Sequence, residues 1–247
     1  MIIIKTPQEI EIMKESAAIL SQIMKEVSAK VEVGITTNEL NRLFESLVLK
    51  YKAKPNFKGY GGFPAGICTS VNEEVVHAVP SERVLRQGDI ITLDGGVLWK
   101  DYHSDMAITL PVGEISLENK KLMSVTKKAL KRGIKKARPG NTFGDVGNTI
   151  QRYVEGQGFN VVKELCGHGI GKQVHEKPDV LNFGRRHKGL KLESGMVLAI
   201  EPMAVIGRPG IKKGPDGFCY QTADNSLSAH FEHTVAVTDK GPRILTK

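Results

Sequence analysis

The feature that most restricts this chain is a pattern that occurs twice. Val33-Gly34-Ile35-Thr36 followed by Glu39-Leu40 returns as Pro139-Gly140-Asn141-Thr142 followed by Asp145-Val146, and each copy reads as the start of a helix. Gly88-Asp89-Ile90-Ile91-Thr92-Leu93-Asp94 returns as Gly195-Met196-Val197-Leu198-Ala199-Ile200-Glu201, so an apolar run ends on an acid in both copies. Val76-His77 before Pro80 matches Val174-His175 before Pro178. Asp105 and its apolar run match Glu232 and Thr234-Val235-Ala236-Val237. The matches keep one order at similar offsets. They predict a single α/β (α+β) domain over residues 1–247, built of pseudo-symmetric halves of roughly 1–113 and 114–247, each with two helices and an antiparallel sheet. The two sheets would join into one curved surface backed by helices, with the paired acids and histidines near the axis.

Local signals fill in this frame. Thr6-Pro7-Gln8-Glu9 is a helix start, with apolar residues at Ile10, Met13, Ala17, Leu20, Met24 and Val27 at helical spacing. A second helix begins at Thr36 or Thr37, and two more are expected over Ser116 to Ala137 and Phe143 to Gly156. Tyr60 to Pro64 reads as a glycine-rich loop, and Cys68 to Val71 with Val75 to Val79 as a hairpin. Ile90 to Leu93 and Met106 to Leu110 read as strands around a turn or bulge, Asp94 closing one and Asp105 opening the other.

At 247 residues and 40% hydrophobic content the chain can bury a full core. No apolar run approaches the roughly 20 residues of a bilayer span, and Met1 to Lys5 is too short for a signal-peptide core, so no membrane partner is expected. Cys68, Cys166 and Cys219 are odd in number and far apart, which fits a reducing cytoplasm. A monomer is the default. The net charge of +8 concentrates in Lys127-Lys128, Lys131-Arg132 and Lys135-Lys136, along one side of a basic helix over 127–138. Such a face is ordinarily just solvated; its functional reading is transient docking to RNA, the ribosome in particular.

Asp94, Asp105, Glu201 and Glu232 share one pocket in the duplicated fold, and unneutralised they could not all ionise. Gly167-His168-Gly169-Ile170-Gly171 adds a histidine between glycines, where missing side chains would let the imidazole approach an ion. Four acids and one imidazole are too hard a set for structural zinc; they suit two divalent ions such as Co, Mn, Fe or Zn, which polarise a carbonyl and acidify water. Hydrolysis is the natural reaction. His77 and His175 are cast as hydrogen-bonding groups beside the substrate.

These residues carry a resemblance to a known family. The spacing of Asp94 and Asp105, Gly167-His168-Gly169-Ile170-Gly171 leading to His175-Glu176 and Pro178, Ile200-Glu201-Pro202-Met203, and Phe231-Glu232-His233-Thr234 together resemble type I methionine aminopeptidase along essentially the whole chain. The resemblance implies the pita-bread fold and removal of the initiator methionine from nascent polypeptides with a small second residue. By motif position, Asp94 would bind one ion, His168 and Glu201 the other, and Asp105 and Glu232 both. Glu201 would also take up the proton of water, and His77 and His175 would bind substrate near the scissile peptide. Phe57, Tyr60, Phe63, Cys68 and Phe218 would surround the methionine side chain, where sulfur packs well against ring edges. The chain departs from the common pattern at Phe63, Val174, Ser104 and Ala199.

Two other readings stand beside this one. A prolidase or Xaa-Pro aminopeptidase uses a similar ligand set, but usually carries a further N-terminal domain. A pita-bread protein that binds RNA or protein without catalysis typically loses ligands, whereas all five are present here.

Overall fold

Residues 2–247 are described by a computed structural model. Each helix starts where a hydroxyl accepts one of its orphan amides. Helices α1 (Pro7–Ser28), α2 (Thr37–Lys50), α3 (Leu117–Ile134) and α4 (Phe143–Glu155) are capped by Thr6, Thr36, Ser116 and Thr142. Thr6, Thr36 and Thr142 form complete capping boxes with Glu9, Glu39 and Asp145. The α2 and α4 boxes are the two copies of the repeated helix-start pattern. Thr36→Ala is expected to cost about 1 kcal/mol, read as a lower urea midpoint at an unchanged slope. α3 stops at Ile134, with Lys135 as its cap, short of the Ala137 expected from the pattern; the chain heads into Pro139, which disfavours helix just before it.

In the first half, β1 (Lys54–Pro55), β2 (Ile67–Val71), β4 (Ile90–Trp99) and β5 (Tyr102–Pro111) share one antiparallel sheet, while β3 (Glu74–Val76) lies in another. The second half contributes β6 (Asn160–Val161), β7 (Gly167–Gly169), β8 (Glu176–Val180), β9 (Val197–Ile200) and β10 (Met203–Val205). There follow β11 (Ile211–Lys213), β12 (Tyr220–Thr222), β13 (Ser228–His230), β14 (His233–Thr238) and β15 (Gly241–Ile244). The larger sheet of this half runs β15-β14-β9-β7-β8, and smaller sheets run β13-β10-β6 and β11-β12-β3.

Two sequence expectations change here. β2 and β3 do not pair with each other as a hairpin: β2 pairs with β4, and β3 crosses to β12 in the other half. β4 and β5 also run unbroken through Gly95-Gly96 and Asp105, turning only at Lys100-Asp101, both of which adopt positive φ. Gly-Gly looks like a turn signal but serves close packing. A Cβ at Gly96 would strike the Asn56 side chain and lie 2.7 Å from the Ser104 carbonyl oxygen. Asp94 and Asp105 therefore sit inside strands, in fixed register.

Helices α1 and α2 cover the first sheet through Leu20, Ile23, Met24, Leu40 and Phe44, which pack on Ile91, Leu93 and Val97. Helices α3 and α4 cover the second through Leu122, Ala129, Val146 and Ile150, packed on Leu198, Ile200 and Val235. The start of α1 reaches beyond the first sheet, its Ile10, Met13 and Ala17 packing with Ile170, Val197 and Ala236 of the second half. No helix among the described residues is long and apolar enough to cross a membrane.

Candidate metal centre

Period-two alternation decides where each acid points. Ile91, Leu93 and Val97 face the helices, so Asp94 faces the other side of β4. Register sets Asp94 opposite Ala107 and Asp105 opposite Gly96, which puts the two carboxylates a diagonal step apart on that face. In the second half Leu198, Ile200 and Val235 take the core side, leaving Ala199, Glu201, Thr234 and Glu232 on the far one. His168 pairs with Ala199 and joins them. The two sheets meet along β5 and the start of β14. Here the Glu232 amide donates to the Ala107 carbonyl at 3.0 Å, and the Asp105 amide donates to Thr234 Oγ1 at 3.0 Å. The Thr234 hydroxyl donates back to the Asp105 carbonyl at 2.8 Å.

That seam gathers the donors. Ligand atoms of Asp105, His168 and Glu232, all buried, lie within 4.8 Å of one another. Glu201 Oε1 is 3.6 Å from His168 Nε2. Asp94 lies beside Cys68 and His77, close enough to the other acids that Asp94, Asp105 and Glu201 raise the Glu232 carboxyl together. The glycines flanking His168 have a packing role as well. They let β7 fit between its neighbours: a Cβ on Gly167 would run into the Ala199 carbonyl of β9, and one on Gly169 would lie 2.5 Å from the Lys177 carbonyl oxygen of β8.

Burial pushes the Asp94 carboxyl up to about 7, with Glu201 raising it further against the opposing field of His230. Burial and the neighbouring carboxylates lift Asp105 and Glu232 well above the usual carboxylate range. Glu201 behaves differently: burial raises it, but contact with His230 and the fields of His230, His168 and His77 outweigh that and hold its carboxyl low. Asp105 Oδ1 and Glu232 Oε1 are buried without a hydrogen-bond partner among the described residues. Buried, unpaired carboxylate oxygens are costly, and hard divalent cations are the partner such oxygens match best. The residues present fit a divalent-ion cofactor.

His230 was not singled out in the sequence. It is 1% exposed, and its Nε2 lies 3.3 Å from Glu201 Oε2 without the alignment of a good hydrogen bond. Its signal was the spacing of two residues from Glu232, which fits the period of a strand. As a group touching a candidate ligand, His230 is expected to tune it: His230→Ala should weaken divalent-ion affinity about 10–100-fold, measured by calorimetric titration of the metal-free protein.

His77 and His175 flank the cluster. His77 holds φ +61°, uncommon for a residue with a side chain, and burial lowers its pKa to about 4. The His175 ring packs edge-on against His168 with centroids 4.3 Å apart, and burial lowers its pKa to about 4. His175 Nδ1 meets the Tyr60 hydroxyl at 2.9 Å. Phe57, Phe63 and Cys68 form one small apolar cluster with Ala65 and Val174, and Phe218 packs on it, edge-on to Phe63 at 5.4 Å. Tyr60 stands at the exposed rim. A cleft of about 320 Å³ opens over His77, His168, His175 and Glu201.

Residues 11–239 match the model of metallopeptidase family M24. The methionine aminopeptidase of Clostridium acetobutylicum is 49% identical, over 100% of this chain and 99% of its own length, and methionine aminopeptidase 1 of Bacillus subtilis is 45% identical over 100% of both. The crystal structure of methionine aminopeptidase from Thermotoga maritima superposes with a TM-score of 0.98 at 42% identity, covering 100% of both chains. Prolidase from Pyrococcus furiosus shares the fold alone, with a TM-score of 0.82 at 24% identity over 99% of this chain and 65% of its own. Fold and site together define a pita-bread metallopeptidase, a class that implies divalent metal binding. The chain belongs to family M24 and, within it, to the methionine aminopeptidases.

Proposed function

We propose that the protein hydrolyses the N-terminal methionine from peptides and nascent polypeptides whose second residue is small, acting in the cytoplasm as a monomer with halves 1–113 and 114–247 forming one catalytic unit. The observation that carries this reading is the juxtaposition of convergent carboxylates and an imidazole, Asp105, His168 and Glu232 with Glu201 and Asp94 beside them, with a small apolar pocket containing a thiol. Asp94, Asp105, His168, Glu201 and Glu232 would hold two divalent ions drawn from Co, Mn, Fe and Zn. Once bound, such ions polarise the scissile carbonyl and lower the pKa of water toward neutrality.

The chain's own groups supply the rest. Glu201, kept ionised by His230 and His168, accepts the proton of the attacking water and returns it to the leaving amine. His77 and His175 are neutral at neutral pH, so each offers one N–H donor and one lone pair to the peptide backbone. Tyr60 fixes the His175 ring. Phe57, Phe63, Cys68 and Phe218 close around the thioether, and Tyr60 guards the opening.

Met-Ala-Ser and Met-Pro-type peptides are expected to be cleaved in the presence of Mn or Co, while Xaa-Pro peptides that do not begin with methionine are left intact. Release from Xaa-Pro peptides instead would make the protein a prolidase-like enzyme, and no metal-dependent release from either would make it a binding protein. The exposed cations Lys127, Lys128, Lys131, Arg132, Lys135 and Lys136 support transient ribosome contact, although Lys127 and Arg132 also stack over Phe231 and Tyr153. Neutralising all six should reduce salt-sensitive co-sedimentation with ribosomes; unchanged co-sedimentation would remove this part of the reading.

A further inference from the structure

One donor cluster lies partly outside the set assigned above. Cys68 on β2, His77 just beyond β3 and Asp94 on β4 each offer one ligand atom, and the three atoms lie within 4.8 Å of one another. β2 pairs with β4 so that Cys68 stands directly opposite Asp94. Their side chains therefore share a face of the sheet. His77 is brought over them by its left-handed backbone. Among the described residues, only burial and through-space charges act on these three side chains, with no hydrogen bond to any of them. Cys68 and Asp94 are buried, 2% and 5% exposed. Buried polar groups ordinarily find partners, so three convergent groups without them are available to a ligand.

The geometry points to a third cation site formed by Cys68 Sγ, His77 and Asp94, sharing Asp94 with the five-residue centre. A thiolate, an imidazole and a carboxylate make a softer set than four carboxylates and one imidazole, and such a set selects zinc or cadmium over manganese or magnesium. Three protein ligands with water in the fourth position is a usual zinc arrangement, and its ligand atoms are about 3.5 Å apart. The trio needs to close by roughly 1 Å, within reach of side-chain rotation on a rigid sheet. As the ion binds, Cys68 loses its thiol proton to solvent and forms the sulfur–metal bond. The consequence for turnover rests on the proposed aminopeptidase reading. An ion here removes the His77 nitrogen from substrate and occupies the floor of the thioether pocket, so zinc in excess of the catalytic pair inhibits.

The test uses the metal-free full-length chain titrated with Co, whose bond to thiolate gives a near-ultraviolet charge-transfer band, alongside Cys68→Ser, Cys219→Ser and His77→Ala. The wild type should develop the band, Cys219→Ser should keep it, Cys68→Ser should lose it, and His77→Ala should need about 10–100-fold more Co to reach it. Equilibrium dialysis should find one fewer tightly bound zinc in Cys68→Ser, and zinc inhibition, taken relative to each variant's own maximum, should require at least about tenfold more zinc in Cys68→Ser. His77→Ala keeps Cys68 in place, so it tests the site even if Cys68→Ser does not fold. Absence of the band in the wild type, its survival in Cys68→Ser, or an unchanged Co dependence in His77→Ala would overturn the site. A normal band with no cleavage of Met-Ala-Ser under any metal would overturn the proposed function and leave the site standing.

Discussion

Asp105→Ala is expected to remove Met-Ala-Ser hydrolysis almost entirely while leaving a folded protein. Loss of an outer partner of a metal ligand typically costs about 10–100-fold, so deletion of an inner carboxylate that would serve both ions should exceed 100-fold. The fold should tolerate the change because Asp105 holds its place through its backbone, with its amide on Thr234 and its carbonyl accepting from the Thr234 hydroxyl. Its Oδ1 makes no hydrogen bond among the described residues, and the group is 3% exposed. Removing it from the metal-free protein deletes a buried, poorly partnered acid rather than a stabilising contact. Activity, divalent-ion stoichiometry and far-ultraviolet circular dichroism of the same preparation separate the two effects. Full turnover by Asp105→Ala would refute the assignment, and a collapsed spectrum would show that the carboxylate holds the sheets together.

The metal-free protein should lose stability as pH rises, the reverse of ordinary acid denaturation. The sign follows from the direction of the shifts. Burial raises Asp94 from 3.8 to about 7 in the folded chain, and raises Asp105 and Glu232 in the same direction. A folded state that holds its protons to higher pH than the unfolded chain has its advantage fully present below about pH 4, and loses it as pH climbs through about 7. Between pH 5 and pH 8 the loss from Asp94 alone is on the order of 3 kcal/mol, or roughly 5–10 °C in melting temperature for a chain of this size. Glu201, held low, works in the opposite direction, and so do His77, His175 and His233, whose pKa values burial lowers to about 4, so that they gain stability as pH rises. So does the net charge of +8, whose self-repulsion grows as acids protonate. A fall in stability with rising pH therefore isolates the buried cluster. Thermal melts in chelator at pH 5 and pH 8, repeated with excess Mn, should show the loss at pH 8 and its reversal by the ion. Equal or rising melting temperatures in chelator would contradict this, showing that the acids do not outweigh the buried histidines, as when they are paired or solvated without a cation.

The sequence carried much of this site because duplication marks function as well as fold. Asp94 and Glu201 each follow an apolar run whose alternation already decides which side chains face the helices, and the repeat places the two runs in equivalent positions. The strand pairing that makes the site was less visible. Gly95-Gly96 carries the local signature of a turn, and only the packing of Asn56 and the Ser104 backbone against it shows why glycine is required in an unbroken strand. β2 and β3 are adjacent in sequence and look like a hairpin. The partner of β3 is Tyr220–Thr222, at a separation no local signal reports. His230 escaped because a lone histidine in a short strand carries no chemical pattern until Glu201 is brought against it. The thiol at Cys68 read as pocket lining, and the Cys68–Asp94 register is what gives it a second role.

The most direct measurement is the anomalous scattering of manganese in crystals of the protein grown with the ion. Two manganese peaks, both enclosed by Asp94, Asp105, His168, Glu201 and Glu232, are the predicted result. Manganese found only on surface carboxylates, with those five side chains left uncoordinated, would contradict the centre described here.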